Sequence, residues 1–227
     1  MRVLFLVVLL VFSLSSCNNN QSQGEKISEA NNKPKVLTTA ETLAYKSGFE
    51  KFDQLNSLAF TFNVDRGDSH YERSWVWYPK KDVVKMMNAK DTISFNRASI
   101  DSTNVSYDSA FINDKYWLLA PFNLIWDEGV TFSKAIKTTA PISGKNVNML
   151  TITYGDEGGY TPGDAYDLYY EDDFLLTEWA FRKGNDSLPS MITTWEDYRE
   201  FKGIKIATMH KDSTSNFKLY FTDIKLD

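Results

Sequence analysis

Residues 146–181, NVNMLTITYGDEGGYTPGDAYDLYYEDDFLLTEWAF, constrain the chain most. They read as three β-strands in succession, separated by two turn-rich corners. Asn148, Leu150, Ile152 and Tyr154 fall on one side of the first strand, and Tyr166, Leu168 and Tyr170 on one side of the second. In the third, Leu175, Trp179 and Phe181 alternate with Leu176, Glu178 and Ala180. Apolar residues recurring every second position mark half-buried strands, because successive side chains point to opposite faces.

The same period runs through much of the chain. Leu58, Phe60, Phe62 and Val64 share a face, and Asp65-Arg66-Gly67-Asp68 makes a corner. Tyr71, Arg73, Trp75 and Trp77 form the next face, with Val76 and Tyr78 behind, and Pro79-Lys80-Lys81-Asp82 turns the chain again. Two short strands follow within 82–89 and 91–97, and residues 99–108 read as a loop. Further strands are expected in 129–155, 192–198, 204–211 and 217–226. Strands at such spacing predict an antiparallel meander closed into a barrel or sandwich.

Two segments break the pattern. Thr38-Thr39-Ala40-Glu41 has capping-box spacing ahead of a narrow face of Ala40, Leu43, Ala44 and Ser47, with Gly48 as the stop. Phe49, Phe52 and Leu55 suggest one more helical turn. Residues 107–126 are too densely apolar for a surface segment, and Pro121 should confine a helix to the part before it. One or two short helices plugging an open end of the sheet are expected there.

The N-terminus speaks to location. Arg2, the apolar run from Val3 to Phe12 and then Leu14-Ser15-Ser16-Cys17 have the layout of an export signal, too short to span a membrane. The last four residues resemble the bacterial lipobox. That resemblance implies cleavage after residue 16 and acylation of Cys17, with a diacylglyceryl thioether and a further acyl chain of the palmitate type. Cys17 is the only cysteine, so no disulfide or thiol chemistry remains for the rest. Residues 17–35 are polar and aperiodic and read as a disordered tether. They lack an acidic run beside Cys17, which favours a protein on the outer membrane facing the periplasm. Residues 36–227 then form a single domain. The net charge of −5 argues against nucleic-acid binding, which calls for a basic patch.

Three landmarks carry a family likeness: FINDKYWLLAPFNLIWDEGV (111–130), TYGDEGGYTPGDAYDLYY (153–170) and WEDYREFKGIKIATMH (195–210). They resemble an uncharacterised family of bacterial lipoproteins, itself distantly similar to the LolA/LolB-like lipoprotein carriers. The resemblance implies a mainly β fold with some α. Its core is a curved antiparallel half-barrel of about ten strands, closed by short helices around an apolar hollow. In the carriers that hollow holds acyl chains.

Catalytic machinery is hard to find. His70 and His210 lie in separate strands, where edge or surface positions are expected, and no GxSxG or HExxH occurs. Asp156, Glu157, Asp164, Asp167 and residues 171–173 sit in turns, where such residues stabilise corners by local hydrogen bonds. Gly158 and Gly159 permit positive φ there. No catalytic residue, metal ligand or cofactor is assigned.

The aromatic content is high: six Trp, twelve Tyr and fifteen Phe. Most suit core and cross-strand pairing. Several strands, however, are apolar on both sides, as a sheet wrapped around a hollow and also touching helices would be. The expectation is a monomeric, membrane-anchored envelope lipoprotein, not an enzyme, that binds a hydrophobic molecule such as an acyl chain. Its lining is expected from Phe60, Phe62, Trp75, Trp77, Met86, Phe111, Trp117, Leu118 and Phe122. The alternatives are a glycan-binding lipoprotein with Trp and Tyr on an exposed face, or an envelope-assembly partner without a pocket.

Overall fold

A computed structural model describes residues 36–87 and 92–227. Residues 1–35, where the export signal, the acylated Cys17 and the tether are expected, lie outside the described residues. Among those described are thirteen strands, β1 to β13 in chain order, and two α-helices, α1 (Thr39–Lys46) and α2 (Val105–Trp126).

The capping box opens α1: Thr38 Oγ1 accepts from the Glu41 N–H, and Glu41 Oε2 accepts from the Thr38 N–H. Ala40, Leu43 and Ala44 are buried, and Gly48 ends the helix in the left-handed region. A 3₁₀ turn over Phe49–Gln54 follows.

All strand pairs are antiparallel. Seven strands run in the order β11-β12-β13-β1-β2-β3-β4: Glu196–Phe201, Ile204–Lys211, Phe217–Leu226, Leu58–Arg66, Ser69–Tyr78, Val83–Met87 and Thr92–Asn96. Six more form a second sheet. There β10 (Met191–Thr194), β9 (Leu176–Arg182), β8 (Ala165–Tyr170) and β7 (Asn146–Tyr154) lie side by side, and β5 (Val130–Phe132) and β6 (Ile136–Thr139) both pair with β7. The chain passes from one sheet to the other at Trp195. Alternation reads 192–198 as one strand, yet β10 and β11 separate at that residue. The sheets still touch there, because the Lys211 N–H donates to Thr194 Oγ1 and His210 Nδ1 to Thr194 O. The result is a bent, unclosed wall of the half-barrel kind.

Helix α2 consists of two helical segments, within the expected one or two, but the second does not end before Pro121. It continues past Pro121 to Trp126, with a break at Leu119 (φ −127°, ψ 30°). Proline cannot donate to the carbonyl four residues earlier, so the axis kinks rather than stops. Phe111, Tyr116, Trp117, Leu118, Phe122 and Leu124 are all buried, so the helix is covered on several sides. One core cluster joins residues of α2 with residues from both sheets.

The second side of the six-stranded sheet is covered as well. Glu178 is buried, and its carboxylate accepts from the Ile142 and Ser143 N–H groups. That holds residues 140–145 over Val147, Tyr169 and Ala180. A register shift at Tyr169/Tyr170 turns Leu176 into the main core beside Trp179. Simple alternation would place Leu175 there instead.

Candidate functional site: an aromatic hollow between the sheets

A cavity of about 570 Å³ opens between the two sheets. Strands β1 and β13 supply Phe62, Val64, Phe217 and Leu219; β8, β9 and β10 supply Tyr166, Trp179, Phe181 and Met191; α2 supplies Trp117. Ligand sites are commonly mainly apolar concavities of ~300–1,000 Å³ with few polar groups. Polar residues collect elsewhere on the wall: Arg66, Ser69, His70 and Tyr71 from the β1–β2 hairpin, then Asn113, Tyr160 and Thr161.

A tyrosine network stiffens one side. Tyr116 stacks on Tyr160 at 3.9 Å, and Tyr160 OH donates to Asn113 Oδ1. Tyr154 OH donates its proton to Asp127 Oδ2 at 2.7 Å, so Tyr116 OH is the donor in the 2.9 Å Tyr116–Tyr154 bond. Burial raises the pKa of all three phenols, so the network stays protonated. Gly159 is needed because a methyl group there would collide with the Tyr154 ring. The acidic, glycine-rich corner thus serves close packing.

Beside the hollow, α2 is tied to β2. Arg73 Nε and Nη2 donate to Asp114 Oδ2 and Oδ1 at 2.8 and 2.6 Å, and Trp75 Nε1 also donates to Oδ2. Asp114 is wholly buried. Desolvation pushes its carboxyl pKa up, with Arg73 pulling it down. The Arg73 guanidinium lies over the rings of Phe62 and Tyr71.

The expected lining residues are dispersed. Phe62 and Trp117 face the hollow. Phe60, Trp75, Phe111, Leu118 and Phe122 are packed into the solid core and line no part of it. Trp77 lines a separate cleft and Met86 a third. Sequence reasoning left out Val64, Tyr166, Trp179, Phe181, Met191 and Leu219. The alternation in β8 and β9 could have pointed to Tyr166, Trp179 and Phe181. Nothing local marks Met191.

The two histidines differ. His70 is exposed, with Nδ1 2.7 Å from Asp65 Oδ1, and that bond raises its pKa. His210 is fully buried, contrary to the expected edge or surface position, because β12 lies between β11 and β13. A carbonyl only accepts, so His210 Nδ1 carries the proton bonded to Thr194 O. Trp117, Trp195 and Phe221 surround the ring, and Nε2 has no partner among the described residues. Desolvation lowers its pKa to about 3. The unfolded imidazole takes up a proton below its usual 6.5, and the folded one does not until about 3. Stability is therefore untouched above pH 6.5 and falls by about 1.4 kcal/mol per pH unit between those limits. Urea melts at pH 7 and pH 5 should show the stability difference shrinking by about 2 kcal/mol in His210→Leu. An unchanged difference would mean that the folded imidazole accepts a proton.

No protein-family model and no curated protein matches the chain. Among solved structures it is similar to a DUF1329 family protein from Desulfovibrio piger, at 11% identity and a TM-score of 0.48, over 83% of this chain and 92% of that one. It is similar to a LolA superfamily protein from Nitrosomonas europaea, at 13% identity and TM-score 0.47, over 84% and 94%. A third is described as an outer membrane lipoprotein-sorting domain from Vibrio parahaemolyticus, with 13% identity and TM-score 0.42 over 83% and 93%. The likeness is distant and concerns the course of the chain, not a ligand or partner. No helix among the described residues is long and apolar enough to cross a membrane.

Proposed function

We propose that this chain is an envelope lipoprotein, anchored through Cys17, that binds an acyl chain or similar hydrophobic molecule between its sheets as a monomer and without catalysis. The supporting observation is the aromatic hollow of about 570 Å³, lined from both sheets and α2 mainly by apolar side chains. The glycan alternative needs a row of exposed tryptophans and tyrosines; five of the six tryptophans are buried, Trp126 is half-buried, and the exposed tyrosines Tyr45 and Tyr71 come from separate elements, α1 and β2. Each methylene moved from water contributes about 0.8 kcal/mol, so shortening a fatty acid by two carbons should weaken binding roughly tenfold.

The test combines mass spectrometry of what co-purifies with residues 36–227 and titration with a dansyl-labelled undecanoic acid. Val64 lines the hollow, and Val64→Trp should fill it. Binding should then fall by about tenfold or more while the thermal transition persists. Protein that is repeatedly recovered empty and also takes up no labelled fatty acid would remove the proposal.

A further inference from the structure

A second cleft, of about 440 Å³, shares no lining residue with the hollow. Its walls are Phe52, Trp77 and Trp126, whose rings pack with centroids 4.8 to 6.3 Å apart. Into these walls the chain places cations. The Lys115 ammonium, on α2, sits 4.9 Å from the Trp126 ring centre and donates to Asn123 Oδ1 at 3.1 Å. No carboxylate among the described residues lies within ion-pair distance of it, although most long lysines reach water or an acid. The Arg97 guanidinium lines the same cleft. It spends Nε on Asp108 and lies over Phe111, the ring that also abuts Trp77. Trp77 Nε1 is buried with no acceptor among the described residues. The carboxylate on the cleft wall, Asp53, is exposed to water.

Arg97 is already paired with Asp108, whereas Lys115 meets only an amide oxygen and an aromatic face, so the cleft holds one cation with no carboxylate in direct contact among the described residues. Desolvation lowers the Lys115 pKa to about 8 against the pull of the Asp127 carboxylate, and the Arg97 charge adds to the lowering. The desolvation of Lys115 and the repulsion from Arg97 would both be offset by a bound anion. Three aromatic rings would cover an apolar body attached to it.

We infer that this cleft binds a small organic anion, a carboxylate or phosphate carried on an aromatic or apolar group, through Lys115 and Arg97. The two anion chemistries share these donors, and the experiment separates them. Calorimetry on the purified full chain uses phenyl phosphate and benzoate as probes, with inorganic phosphate and benzyl alcohol as comparators. At least one aromatic anion should saturate below about 10 mM, and benzyl alcohol should bind at least about tenfold more weakly. Whichever aromatic anion binds more tightly identifies the preferred head group. Lys115→Met should weaken binding about tenfold or more, since hydrogen bonds to charged groups are worth that much, while Lys115→Arg stays near the parent. Lys115→Gln serves if the methionine variant does not fold. Labelled fatty acid in the hollow should not displace the probe. The inference is overturned by folded parent protein that saturates with neither aromatic anion, by equal binding of benzyl alcohol, by unchanged binding in the Lys115 variants, or by displacement from the hollow.

Discussion

Arg73→Met should lower the unfolding free energy by about 3–5 kcal/mol at neutral pH, the largest effect expected of a single substitution here. The reason is Asp114. Its side chain has no exposure to water, and Arg73 is its only ionic partner among the described residues. Methionine keeps an apolar stem of similar reach and removes the guanidinium that lies over Phe62 and Tyr71. Among the described residues the carboxylate then keeps only Trp75 and Asn113 as donors. Desolvation already raises the Asp114 pKa in the intact protein, and losing Arg73 raises it further. A carboxyl whose folded pKa lies above its unfolded one destabilises at high pH and is relieved as pH falls through the folded value. The gap between variant and parent should therefore narrow on acidification. Arg73→Met combined with Asp114→Leu should recover most of the loss, because a buried pair replaced by apolar groups is often neutral. Urea unfolding of the three proteins at pH 7 decides it. A loss below about 1 kcal/mol in the single variant would show that water reaches Asp114.

Gly48→Ala should cost about 2–5 kcal/mol, from two separate penalties. Gly48 has φ +92°, where a side chain is strained. A methyl group there would also overlap the carbonyl oxygen of Gly203, in the β11–β12 turn. The neighbouring contact is a backbone bond, the Lys205 N–H donating to Ser47 O at 3.0 Å, so the two segments cannot simply part. Gly67 supplies the control. It also has positive φ, but no atom lies within 4 Å of the added methyl. Gly67→Ala should cost only the conformational share, about 1–2 kcal/mol. Equal losses in thermal melts would show that the steric contact is absorbed by movement of the turn.

Much of the strand layout was legible because alternation and capping are local. Leu150, Ile152 and Tyr154 are buried as their period requires, and Thr38 and Glu41 form their box. Where Trp195 divides a run, local pattern gave no warning, since both halves keep strand-like composition. The lining of the hollow was legible only in part. Phe60 and Phe62 lie on the same face of β1, yet only Phe62 reaches the cavity. Period tells which face a side chain takes, not how deep it lies.

From its sequence alone the chain's strands, its first helix and the inward side of most segments follow, because backbone sterics and side-chain period act over a few residues. The tertiary structure alone decided that Arg73 meets Asp114 forty-one positions later, that α2 runs on through Pro121, and which aromatics fill space and which surround it. Those outcomes depend on packing between distant segments, where burial and charge pairing are settled only once the sheets enclose the helix.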